Sequence, residues 1–99
     1  MRQKMLLSYN FLPQHQQEYM EFMMSTFVPT LQRLGLENMG VWHTAYGNYP
    51  NRLIVFVASE QDMREAMSGD DWTKLEERLK SFVTDYTCRV VPFLPGFQF

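Results

Sequence analysis

Few side chains in this sequence could do chemistry, and their spacing narrows the choice. His15 and His43 are the histidines and Cys88 is the lone thiol. None sits at ligand spacing to another, so no CxxC or HxxxH pair exists on which to build a metal site. No metal and no cofactor is expected. P-loop, GxGxxG and GxSxG patterns are also missing, which leaves nucleotide binding and serine hydrolysis without a foothold. The most versatile titratable residue is His43, in the middle of "VWHTAY" between Trp42 and Thr44. A neutral imidazole there could act as a general base. It could equally be a packed ring with one nitrogen hydrogen-bonded to a neighbour. Arg89 interrupts the apolar run "CRVV". It could bind a carboxylate in a pocket or across an interface, or serve as an edge-strand charge that discourages aggregation. Tyr9, Asn10, Tyr46 and Tyr86 fall on or near expected strands, where they could ring an aromatic cavity or be core residues whose hydroxyls reach water. Trp42, Trp72 and Arg89 join Tyr9, Asn10, His43 and Tyr46 as candidate pocket residues.

Those residues need elements to hold them. In "KMLLSYNF", residues 4–11, Met5, Leu7, Tyr9 and Phe11 share one face of a strand, while Leu6, Ser8 and Asn10 share the other. Pro13 suits the first turn of a helix, and Met20, Met23, Phe27, Leu31 and Leu34 recur at helical steps after it. Gly35 is placed to end that helix. Pro29 lies inside the pattern and predicts a kink or short break, because it removes a backbone hydrogen bond to residue 25. Residues 38–46 read as a second strand and "RLIVFVA" as a third, joined by the turn "GNYPN". Ser59 with Asp62 opens a helix through about Met67. After Gly69, Asp70 or Asp71 can cap a second piece whose buried stripe is Trp72, Leu75, Leu79, Phe82 and Val83. "YTCRVVPF", residues 86–93, makes the last strand. The order is β-α-β-β-α-β in a single domain over residues 1–99. It defines an α+β, ferredoxin-like fold, a four-stranded antiparallel sheet with the helices on one face.

Composition excludes several partners. Hydrophobic residues are 45% and charged residues 20% of 99, an ordinary globular balance. A net charge of −2 with scattered basic residues gives no reason to expect nucleic acid. The N-terminal apolar run is too short for a membrane span or a signal segment, so a cytoplasmic protein is the default, consistent with an unpaired cysteine. Fifteen aromatic residues and eight methionines point either to a core of large adaptable side chains or to a flexible apolar pocket for a flat ligand.

"LIVFVAS", residues 53–59, is apolar on both faces. With both helices on one side, the opposite face would be bare in one copy, forgoing about 1.5–3 kcal/mol per exposed large side chain. The economical cover is a second copy packed face to face, closing two sheets into a dimeric α/β barrel. The C-terminal "FLPGFQF" folding back could cover part of it. "GVWHTAYGNYPNRLIVFVASEQDMREA" followed by "DDWTKLEERL" resembles the NIPSNAP-like group of the dimeric α/β-barrel superfamily, through Gly40, Trp42, Gly47, Ser59 and Trp72. "VPTLQRLG" is similar to the end of that group's first helix. The resemblance implies a homodimer joined through the sheet face. It fits a protein that binds an apolar or aromatic small molecule or a protein partner. The alternative is a cofactor-independent monooxygenase or isomerase. Haem-degrading relatives pair an Asn on the first strand with a Trp and an iron-binding His around the second helix. Asn10 and Trp72 fit that pattern, but no histidine lies between Trp72 and Tyr86, which argues against haem.

Overall fold

A computed structural model describes residues 1–46 and 49–94, with the side chains of 44–46, 49 and 50 outside the described set. The side chain of Tyr46, residues 47 and 48 of the "GNYPN" turn and the tail beyond Leu94 therefore lie outside the described residues. Strand β1 (Arg2–Phe11) leads through a short 3-10 turn, Pro13–His15, into helix α1 (Gln16–Phe22). A π-helical stretch, Met23–Phe27, then joins α1 to α2 (Val28–Arg33). Strands β2 (Glu37–Tyr46) and β3 (Tyr49–Ser59) follow, then α3 (Glu60–Met67), α4 (Asp70–Lys80) and β4 (Val83–Pro92). The sheet order is β2-β3-β1-β4, and all three pairings are antiparallel. This is the expected ferredoxin-like arrangement.

The main core lies between the sheet and the helices. Met5, Leu7 and Tyr9 of β1 and Ile54, Phe56 and Ala58 of β3 face Tyr19, Phe22, Met23, Phe27, Leu31, Trp72, Leu75 and Leu79. Phe27 is wholly buried, with its ring near those of Phe22, Phe56 and Trp72. Ser59 caps α3 by accepting from the Asp62 amide, as its spacing predicts. Gly35 closes α2 at φ +99°, a conformation that side chains resist. The Leu36 amide then returns to the Leu31 carbonyl at 2.9 Å.

Several local expectations shift. Pro29 does not break the helix; it opens α2, and the accommodation comes in the turn before it. There the Val28 amide donates to the Met23 carbonyl five residues back, which widens the helix. Tyr19 and Phe22 occupy the buried stripe, while Met20 is 39% exposed. The residue before α4 is Gly69, without a side-chain cap, and Asp70 is the first helical residue. Val83 begins β4 rather than ending the helical stripe.

The second face of the sheet is also not as bare as expected. Val55 and Val57 are each 1% exposed and Leu6 8% exposed within one chain, with Leu53, Val91 and Phe93 packed against them. Arg2 and Lys4 sit over the Phe93 ring at 5.7 and 5.6 Å. What stays open on this side is peripheral. Trp42 is 42% exposed, and its ring lies where a Cβ on Gly40 would come within 2.9 Å of it.

Candidate functional site

Strand register assembles the site. Tyr9 of β1 lies opposite Arg52 of β3, and Arg52 lies opposite His43 of β2. The three therefore form one row across the sheet, on the face that carries the helices. In the adjoining row on the same face, Leu7, Ile54 and Val41 are aligned. Helix α1 crosses above and adds Tyr19.

Arg52 is the centre of the cluster. Its guanidinium carbon stands 5.0 Å from the centroid of the Phe11 ring and 5.5 Å from that of Tyr19. Its Nη1 is 3.5 Å from the Tyr19 hydroxyl and 3.9 Å from the Met20 sulfur, and its Nη2 is 3.5 Å from His43 Nδ1. All three contacts are at the long limit for hydrogen bonds. Arg52 Nε is buried and has no partner among the described residues.

Two tyrosines stand behind the arginine. The hydroxyls of Tyr9 and Tyr19 are 2.6 Å apart, and the residues are 0% and 1% exposed. Burial, reinforced by the Tyr19 hydroxyl, pushes the Tyr9 phenol far above its ordinary range, and the Arg52 charge only partly opposes this. Tyr9 is therefore a neutral O–H that donates or accepts a hydrogen bond and does not act as a phenolate. His43 is exposed, its ring 6.2 Å from that of Phe11. Nδ1 is the ring nitrogen that faces Arg52 Nη2.

Beside this row runs a groove of about 330 Å3, between helix and edge strand. Val41 and Ile54 form its floor with Asn38; Met20, Met23, Met24 and Val28 form its wall. Tyr19 and Arg52 stand at its polar end. The volume is at the lower end for small-molecule sites. Three methionines give it an adaptable lining. A hollow of about 390 Å3 over Glu18, Glu21, Phe22, Ser25, Thr26 and Arg78 is larger, but apart from the buried Phe22 its walls are exposed and charged or polar.

The other candidates lie elsewhere. Alternation places Asn10 opposite to Tyr9; its Nδ2 donates to Asp85 Oδ2 at 2.9 Å, and its Oδ1 is buried without a partner among the described residues. Trp42 shares the second face with Val55, and Arg89, paired with Leu6 on edge strand β4, is exposed on that face too. Trp72 is a core residue, 5% exposed, against Phe27. Tyr86 donates to Glu76 Oε2 at 2.7 Å on the helix side. Tyr9 and His43 thus come together through Arg52; Asn10, Trp42, Trp72 and Arg89 do not join them. His43 touches Arg52 and is not itself in the groove lining.

Arg52, Tyr19 and the methionine wall were missed from sequence. A signal for Arg52 existed: it shares the parity of Ile54 and Phe56, so it must face the helices. Among the described residues no group of three or more His, Cys, Asp or Glu could hold a metal ion. No described helix is long and apolar enough to cross a membrane.

No protein-family model matches the chain, and no curated protein matches it either. Solved structures do. A NIPSNAP family protein from Agrobacterium tumefaciens superposes with a TM-score of 0.68 at 13% identity, over 97% of this chain and 89% of that one. This chain has that protein's fold. An uncharacterised NIPSNAP domain protein from Burkholderia xenovorans gives 0.66 at 10% identity, over 99% of each chain. A structure described as a candidate antibiotic biosynthesis monooxygenase from Nitrosomonas europaea gives 0.68 at 7% identity, over 98% and 94%. NIPSNAP and monooxygenase-type structures are therefore its fold neighbours, and likeness at these identities speaks for fold alone.

Proposed function

We propose that this chain is a small homodimeric binding protein that takes an apolar or aromatic small molecule in the groove between helix and sheet. The observation that carries this reading is the groove itself. Val41, Ile54, Met20, Met23, Met24 and Val28 supply apolar walls, and one cation, Arg52, stands at the end. Met24 and Val41 are 72% and 51% exposed, an unusual placement for large apolar side chains unless something covers them. Titration of a neutral aromatic probe, 2-naphthylmethanol, by calorimetry tests it. Binding to the wild type and its loss in Val41→Trp, which adds bulk at an exposed strand position, support the reading. No binding to the wild type, or unchanged binding to the variant, refutes it.

The dimer is proposed through the second sheet face. Trp42 and the partly exposed Leu53, Val91 and Phe93 remain there for a second copy to cover. Light scattering would then give about twice 11.8 kDa; a particle of 11.8 kDa refutes this part. A reducing, cytoplasmic setting suits the half-buried free Cys88.

The second reading, a cofactor-independent monooxygenase or isomerase, draws on the row of Tyr9, Arg52 and His43 beside the groove. Its weakness is that His43 is exposed and stands outside the groove lining. Oxygen uptake with polyphenolic substrates, equal in the wild type and His43→Ala, would retire it.

A further inference from the structure

We propose that the occupant of the groove is an aromatic monocarboxylate, held by a pair of hydrogen bonds from Arg52; this rests on the small-molecule reading above. An arginine on the buried face of a sheet ordinarily meets a carboxylate. Arg52 does not. Among the described residues its polar contacts are the Tyr19 hydroxyl, the Met20 sulfur and His43 Nδ1, all between 3.5 and 3.9 Å. The ion pairs of the described residues use Arg2, His15 and Arg64 and leave Arg52 out. Its Nε is buried without a partner among the described residues.

The guanidinium is nevertheless held in place. The rings of Phe11 and Tyr19 flank it at 5.0 and 5.5 Å, and strand pairing fixes its backbone between Tyr9 and His43. A cation so oriented and so loosely satisfied at the end of an apolar groove is complementary to an anion with an apolar body. A planar carboxylate matches the guanidinium fork with two parallel bonds. The Tyr19 hydroxyl is a further neutral polar group beside it, and no described carboxylate stands within ion-pairing distance of Arg52 to repel the ligand. The methionine wall favours a flat ring, since thioether sulfurs contact aromatic edges well.

The test compares two probes that share a ring system and differ in charge, 2-naphthoate and 2-naphthylmethanol, by calorimetry on the full chain. The wild type should bind the naphthoate about tenfold to a hundredfold more tightly, the range for charge-assisted hydrogen bonds. Arg52→Gln should bring the naphthoate down to the affinity of the alcohol and leave the alcohol unchanged. Equal binding of both probes by the wild type overturns the anion inference while the apolar groove survives. Preference for naphthoate that persists in Arg52→Gln overturns Arg52 as the anchor. Absence of binding by either probe overturns both readings. The wild-type comparison decides the matter even if the variant folds poorly.

Discussion

Replacing Tyr9 by Phe removes one oxygen and leaves the ring packing intact, so it isolates the hydrogen bond behind Arg52. The two hydroxyls are 2.6 Å apart in a site where Tyr9 is 0% and Tyr19 1% exposed. In Tyr9→Phe, the Tyr19 hydroxyl keeps, among the described residues, only its contact with Arg52 at 3.5 Å. In Tyr19→Phe, the Tyr9 hydroxyl keeps no side-chain hydrogen bond among the described residues. A buried polar group left without a partner costs about 1–3 kcal/mol. Tyr9→Phe should fall near the lower end and Tyr19→Phe near the upper. The double variant removes both oxygens, so neither hydroxyl is left stranded, and only the long Arg52 contact at 3.5 Å is lost with them. It should therefore cost less than the sum of the two, by about 1 kcal/mol or more. Urea unfolding followed by tryptophan fluorescence measures this. With a slope of about 1–3 kcal/mol per molar urea, a single variant lowers the midpoint by about 1 M. Single variants costing less than about 0.5 kcal/mol, or an additive double variant, would refute the buried pair.

Other consequences are independent of the groove. Gly35→Ala should destabilise the fold by about 1–2 kcal/mol, because φ is +99° and the new Cβ would meet Asp62 Oδ2 at 2.9 Å; an unchanged urea midpoint contradicts the helix ending described. Burial, with the Glu76 carboxylate adding to it, raises the Cys88 thiol above its ordinary range. Iodoacetamide at pH 8 should therefore label the native protein slowly and the urea-unfolded protein fast, as read by mass spectrometry. Equal rates would refute that environment.

The order of elements was readable because alternation in "KMLLSYNF" and "LIVFVAS" and the helical spacing of Phe27 and Leu31 each match one period. Helix phase was harder. Tyr19 and Met20 are adjacent and both apolar enough for the stripe, and only packing against Tyr9 and Phe11 decides for Tyr19. The start of β4 was hidden by Asp85, whose positive φ and the shift in pairing between Ser8 and Asn10 interrupt the alternation there. The site was less readable than the fold because it depends on register. Tyr9 and His43 are far apart in sequence and meet only because Arg52 pairs with both strands. Trp72 reads two ways, as the first residue of the buried stripe with Leu75 and Leu79 and as a pocket candidate, and its ring packs in the core against Phe27. The expected bare face rested on counting apolar residues in β3, and counting could not show that Val55 and Val57 are closed over within one chain.

Methyl NMR of methionine-labelled protein, titrated with 2-naphthoate, tests the groove most directly, since its wall is built of methionines. The methyl signals of Met20, Met23 and Met24 should move together and saturate, while Met5 and Met63, buried in the core at 0% and 1% exposure, stay in place. Saturation confined to Met39 on the edge strand, or no shift at any methionine, would contradict a ligand site between helix and sheet.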